Sequence, residues 1–249
     1  MKPFLAALQF LTILPIRGSF DKRTLSRSLP WFPWVGFLVG ALAALSDWTG
    51  IRLGIPNAIM NVFSVAFLAA LTGGLHLDGL ADTADGFLSA RPRERVLEIM
   101  RDSRIGTMGV LAIVFVLALK TAGLSQLQDI PRTCALLFAP LAGRCLQVFT
   151  IQILPYAHAK GGLARIFVDT RRASDGLWAV LCLIVGALVL FGQRGVWLLL
   201  ICGLCWIVIS SRSRRRIGGF TGDTLGATSE ICESLVLAFV PILSRGDCS

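Results

Sequence analysis

The residue types best suited to chemistry are concentrated in Thr72–Phe87, which reads Thr-Gly-Gly-Leu-His-Leu-Asp-Gly-Leu-Ala-Asp-Thr-Ala-Asp-Gly-Phe. Asp78, Asp82 and Asp85 follow one another at i, i+4 and i+7. On a helix that spacing puts all three carboxylates on one face. Three like charges so placed repel one another, and a cation held between them relieves the repulsion. Oxygen-only ligation by carboxylates suits Mg²⁺ or Mn²⁺ rather than zinc. Gly73, Gly74 and Gly79 let a backbone or a ligand approach closely. The plain alternative is a solvated acidic end to a membrane helix, but charged residues at a membrane boundary favour a functional site. His76, two residues before Asp78, could be a ligand, a proton carrier or a hydrogen-bonded structural residue.

A second segment resembles the first. Gly218–Glu230 aligns onto Gly73–Asp85, with Gly73/Gly218, Gly74/Gly219, Asp78/Asp223, Leu80/Leu225 and the acids Asp85/Glu230 coinciding. Asp82 falls on Ala227, so the second copy lacks one carboxylate. Two Gly-rich acidic turns on one membrane face could oppose each other across one site, with Asp223 as a further metal or catalytic candidate. Glu230 and Glu233 are secondary candidates.

Basic groups complement these acids. Arg101-Asp-Ser-Arg-Ile-Gly-Thr-Met-Gly109 opens an apolar run and offers Arg101, Ser103, Arg104, Thr107 and backbone N–H groups at a helix start. Such a set suits phosphate. Arg144 interrupts the apolar stretch Ala142-Gly-Arg144, and an intramembrane arginine pairs with an acid or with an anionic substrate. Lys160-Gly-Gly162 is a flexible cationic loop that adds a weaker phosphate candidate. Arg212–Arg216 is expected to face lipid headgroups.

The elements that must position these groups belong to lipid. Of the 249 residues 55% are hydrophobic and only 16% charged, with a mean hydropathy of +0.72. That leaves too little polar surface for a water-soluble globule. The apolar runs are Phe4–Ile16, Trp31–Leu45, Ile55–Leu75, Ile105–Leu124, Cys134–Leu154, Leu177–Phe191, Val196–Ser211 and Ile231–Leu243. The expected fold is an all-α polytopic membrane bundle of about six to eight transmembrane or membrane-embedded helices in one domain, 1–249. Leu177–Phe191 and Val196–Ser211 are expected to form a tight hairpin. Whether Phe4–Ile16 spans or lies at the interface is open. Residues 17–30, 91–104, 156–176 and 212–230 carry clusters of Lys and Arg, whereas the connections between them carry one each, Arg52, Arg132 and Arg194. The positive-inside rule makes the basic stretches, and with them the acidic site, cytoplasmic. The net charge of +9 is thereby explained by topology and lipid headgroups rather than nucleic acid. The seven cysteines lie mostly in apolar runs and form neither a disulfide framework nor a zinc site.

On these motifs the chain resembles the adenosylcobinamide-GDP ribazoletransferases, the cobalamin-5′-phosphate synthases of the bacterial inner membrane. The resemblance rests on Phe10-Leu-Thr-Ile-Leu-Pro15, Pro33-Trp-Val-Gly36, Gly74–Gly86, Arg101–Gly109, Ala142-Gly-Arg144 and Gly218–Ala227, in order along nearly the whole chain. A small departure is Met100-Arg101, where Met-Lys is commoner. The resemblance implies that adenosylcobinamide-GDP is attacked by a ribose hydroxyl of α-ribazole or its 5′-phosphate, giving adenosylcobalamin or its 5′-phosphate, with GMP leaving. It implies Mg²⁺ as cofactor, held by Asp78, Asp82 and Asp85 with Asp223. Arg101, Arg104 and Arg144 would hold phosphates, and His76 or an acid would take the hydroxyl proton. It leaves room for a homo-oligomer or for other cobalamin-assembly enzymes as partners. A CDP-alcohol phosphotransferase also uses spaced aspartates at the cytoplasmic face, but its pattern fails here because Asp82 stands where Ala-Arg would lie. A transporter would place its acids deeper within the spans.

Overall fold

In lipid no water is available to satisfy backbone N–H and C=O groups, so apolar runs must fold as helices. The structure, a computed structural model, describes residues 1–157 and 164–244. The long helices are α3 (Phe32–Arg52), α7 (Thr107–Ser125), α8 (Asp129–Ile153), α10 (Ala173–Phe191), α11 (Gly195–Ile217) and α12 (Gly222–Ser244). Shorter helices connect them: α1 (Lys2–Leu11), α2 (Lys22–Ser26), α4 (Asn57–Leu71), α5 (Leu75–Leu88), α6 (Arg93–Ile99) and α9 (Arg165–Val168). Among the described residues no strand forms, and Tyr156 and Phe220 make an isolated bridge. The expected all-α polytopic membrane bundle is what the chain adopts.

Five stretches are long and apolar enough to cross a bilayer: Leu29–Arg52, Thr107–Ser125, Asp129–Ile153, Ala173–Ile217 and Gly222–Ser244. The fourth folds back at Gly192 (φ +57°), and Gly195 sits against the backbone of Ala187, so the expected hairpin forms there. α4 and α5 pass the same test only as a pair, bent by 89°. The first apolar run is settled by length. Its helix, α1, has 10 residues, or about 15 Å, half of the roughly 30 Å hydrocarbon core.

α8 is the central post and is buried along most of its length. Glycines bring its neighbours into backbone contact, the means by which helices associate when lipid supplies no hydrophobic drive. A Cβ at Gly40 of α3 would lie 2.6 Å from the Leu136 carbonyl oxygen of α8, and one at Gly36 would lie 2.5 Å from that of Pro140. Gly123 of α7 meets Leu237 of α12 in the same way. The exposed faces of α7, α10 and α11 are apolar, with Phe115, Val189 and Leu204 among the most exposed, as a lipid-facing rim requires.

Three boundaries differ from the hydropathy reading, each because polar residues are helical. α8 begins at Asp129, which puts Arg132 inside the bundle. There Arg132 meets both carboxylate oxygens of Asp47 (2.6 and 2.7 Å), Asn61 and the Leu124 carbonyl. α11 carries Arg212–Arg216 on its last turns, where a helix C-terminus favours cations. α12 begins at Gly222, so Glu230 lies within the bundle rather than in a loop.

Candidate active site

Two helix starts build the site. α4 ends in a Schellman motif: Gly73 and Gly74 adopt left-handed φ values (+61° and +70°), and their N–H groups return to Ala70 and Ala69. α5 leaves that turn almost perpendicular to α4. The other start follows Gly218 (φ +80°), where Phe220 exchanges backbone hydrogen bonds with Pro155 and Ala157. Thr221 and Thr224 then cap α12 reciprocally, each hydroxyl accepting the other's N–H.

α5 and α12 meet without side chains between them. A Cβ at Gly79 would lie 2.8 Å from the Asp223 carbonyl oxygen, and one at Gly226 would lie 3.1 Å from the Cα of His76. The two Gly-rich acidic segments therefore oppose each other. Their contact brings Asp78, Asp82 and Asp223 to one mouth, where the charges of Asp78, Asp223 and Asp85 all act on Asp82. Asp78 is exposed, and Asp82 and Asp223 are half-buried. None of the ion pairs among the described residues involves these three acids. The mouth opens a cavity of about 630 Å³ whose polar wall includes His76, Asp78, Arg101, Gln147, Tyr156 and Asp223.

Asp85 is engaged elsewhere. Its two oxygens accept the N–H groups of Gly106 (2.7 Å) and Gly109 (2.8 Å) at the start of α7, satisfying donors that a helix start leaves orphaned. A Cβ at Gly106 or Gly109 would lie 2.5 Å from that carboxylate. At the far end of α5, Arg216 donates to the carbonyls of Gly86 and Ser89. It is thus withdrawn from the headgroup cluster, while Arg212, Arg214 and Arg215 remain exposed.

The donor set tests whether Mg²⁺ fits. Among the described residues no three His, Cys, Asp or Glu side chains form a closed ligand group. Mg²⁺ does not need one: it keeps several waters and binds through one or two carboxylates plus substrate phosphates. Oxygen-only acids on two helices beside an open cavity fit that requirement, and Asp78, Asp82 and Asp223 are the acids that would hold the ion.

Directly behind the mouth lies a buried ion network. Arg144 of α8 pairs with Glu233 and donates to Ser229 (3.1 Å). Lys120 of α7 lies 2.7 Å from both Glu230 and Glu233 of α12. Of the two partners expected for Arg144, the structure supplies the acid, and with 1% exposure the guanidinium does not reach the cavity. Glu230 and Glu233 likewise bind cations of the chain itself. The second Arg144 nitrogen, Nη2, lies 3.2 Å from Nδ1 of His76. Guanidinium nitrogens only donate, so Nδ1 accepts and the neutral ring carries its proton on Nε2. The network has two cations and two anions, which balance when His76 is neutral.

Of the phosphate candidates, Arg101 lines the cavity. Ser103 and Thr107 are exposed on the same connection. Arg104 folds onto Asp102 through two bonds of 3.0 and 2.7 Å. Those bonds, reinforced by the Arg104 N–H, hold the Asp102 carboxyl down to about 2. Lys160 lies outside the described residues. Sequence reading missed Lys120, whose signal was a lone cation deep in an apolar run. It also missed Gln147 and Tyr156, which carried no signal of their own.

Known proteins match the chain over nearly its whole length. Residues 3–241 match the family described as cobalamin-5-phosphate synthase. The chain belongs to that family. It is 41% identical over 236 residues to an adenosylcobinamide-GDP ribazoletransferase of Desulforamulus reducens, covering 94% of each chain. It is 42% identical over 245 residues to that of Herpetosiphon aurantiacus, covering 98% of this chain and 97% of the relative. The corresponding protein of Klebsiella pneumoniae subsp. pneumoniae is 40% identical over 253 residues, with 95% and 98% covered. No solved structure matches the chain.

Proposed function

We propose that the chain joins adenosylcobinamide-GDP to α-ribazole or its 5′-phosphate, releasing GMP, at the cytoplasmic face of the bacterial inner membrane. Family membership supports the substrates, and the basic stretches flanking the mouth support the orientation. The observation that carries the reading is the backbone contact of α5 with α12, which gathers Asp78 and Asp223 with Arg101 in one cavity and brings Asp82 within reach of both acids.

The ribose hydroxyl oxygen forms a bond to the corrinoid-side phosphorus, and the P–O–P bond to GMP breaks. The hydroxyl proton passes to a carboxylate, Asp223 or Asp82. His76 does not take it, because Nδ1 faces Arg144. Instead its Nε2–H donates to a phosphate oxygen, where a fixed donor stabilises developing charge. Arg101 meets the diphosphate, and Asp85 positions the acid-bearing helix against α7. Asp78, Asp82 and Asp223 would hold Mg²⁺, which when bound would supply charge neutralisation for the diphosphate.

Membranes holding the chain, supplied with adenosylcobinamide-GDP, α-ribazole and Mg²⁺, are expected to release GMP and form a cobalamin, and EDTA is expected to stop both until Mg²⁺ is restored. CMP release from a CDP-alcohol in place of GMP would refute the reading.

A further inference from the structure

The cavity extends beyond its polar wall to an end formed by Phe10, Leu11, Phe32, Ala164 and Phe167. The three phenylalanines come from α1, the start of α3 and α9, and their rings fix one another. Phe10 stacks on Phe32 at 6.1 Å, while Phe167 meets Phe10 and Phe32 edge-on at 5.4 and 5.3 Å. Phe32 and Phe167 are buried and Phe10 is half-buried. This end carries no charged group, and the amide nitrogen of Gln9, next to Phe10, is taken up by the Ile16 and Gly18 carbonyls. Between the two ends the wall includes Gln147, 2% exposed, whose amide nitrogen donates to the Leu225 carbonyl. Its Oε1 is buried without a hydrogen-bond partner, a condition that a native protein avoids unless something else fills the need.

The two substrates of the proposed reaction bring different bases. Guanine presents donors and acceptors along its edges, and a wall of phenylalanine, leucine and alanine would leave them unpaired. The base of α-ribazole is a dimethylated benzimidazole, flat and almost wholly apolar, and it matches aromatic walls by stacking and edge contact. A cavity of about 630 Å³ is the size that encloses one small-molecule ligand, so the corrinoid stays at the open mouth. We infer that the Phe10–Phe32–Phe167 end seats the base of α-ribazole and that Gln147 Oε1 accepts a hydrogen bond from its ribose, which places the attacking hydroxyl at Asp223. This assignment rests on the proposed ribazole transfer and names the seat of one of its two substrates.

The test separates the substrates kinetically. In Phe10→Trp, overpacking at the half-buried ring is expected to raise the KM for α-ribazole about tenfold. In Gln147→Leu, loss of one neutral hydrogen bond is expected to raise it about fivefold. In both, the KM for adenosylcobinamide-GDP stays within about twofold, since no contact to that substrate is removed. The unaltered chain supplies a measurement free of folding effects: each methyl removed from the benzimidazole riboside should weaken its KM about fourfold, and that preference should shrink in Phe10→Ala. A rise confined to adenosylcobinamide-GDP would give the aromatic end to the guanine. No change in either KM, or no methyl preference, overturns the assignment while leaving the transferase activity standing. An unaltered chain that makes no GMP from the two substrates overturns the proposed function and this assignment together.

Discussion

Two charged regions meet at His76 and differ in balance. Behind the ring, Lys120 and Arg144 face Glu230 and Glu233, two cations against two anions, buried and hydrogen-bonded to one another. In front of it, Asp78, Asp82 and Asp223 share the mouth with none of the ion pairs found among the described residues. A buried ion pair holds together because each charge answers the other. On the proposed function, this acidic mouth is where a cation and a phosphate from outside would bind. On that reading the same residue types serve support in one region and chemistry in the other, and the Arg144 contact that fixes His76 from the first would orient it for the second.

The contrast can be broken most severely at the mouth. Asp82→Asn is expected to lower GMP release about a thousandfold, the scale on which electrostatic and metal-held groups act, while immunoblots of membranes show normal insertion. Activity retained at saturating Mg²⁺ would remove Asp82 from the metal. At the junction, His76→Asn keeps an acceptor for Arg144 but loses the Nε2–H, and turnover should fall about a hundredfold, whereas His76→Gln, whose amide can reach the Nε2 position, should lose about tenfold or less. Equal losses would mean that the ring works as a base. In the balanced region, Glu233→Gln strands the buried Arg144 and leaves Lys120 with Glu230 alone. It should cost about 3–5 kcal/mol of stability, read as a lower unfolding midpoint in detergent, with a loss of turnover from the misplaced His76 that is smaller than in His76→Asn.

Two further changes sharpen the comparison by leaving the chemistry alone. Asp47→Asn deprives the buried Arg132, at the other end of the bundle, of its bidentate partner. Stability should fall by a similar 3–5 kcal/mol, but the turnover of the folded fraction should not change. Arg104→Ala removes an exposed pair with Asp102 worth at most about 1 kcal/mol, and GMP release should stay within about twofold. A large loss there would return Arg104 to the phosphate site.

How much of this was legible depended on whether a residue's meaning was local. The i, i+4, i+7 spacing of Asp78, Asp82 and Asp85 needs only the helix period, and α5 carries all three. The hairpin at Gly192 and the opposition of the two Gly-rich acidic segments were likewise written in glycine positions. The roles of Asp85 and Arg144 were not. Asp85 differs from its neighbours only because the start of α7 folds over it, and Arg144 prefers an acid over a phosphate only because α12 brings Glu233 beside it. Hydropathy also misplaced the start of α12. Polar residues paired inside a bundle look like a loop until their partners are known.

The ion network also fixes an order of events in the life of the chain. Lys120 and Arg144 are made and threaded into the membrane long before Glu230 and Glu233 leave the ribosome. Until α12 enters, each cation costs about 3 kcal/mol in lipid. The late arrival of two acids relieves both at once, draws the last helix to its place between α7, α8 and α5, and in the same movement delivers Asp223 to the mouth. The enzyme cannot bear a complete site on an incomplete bundle.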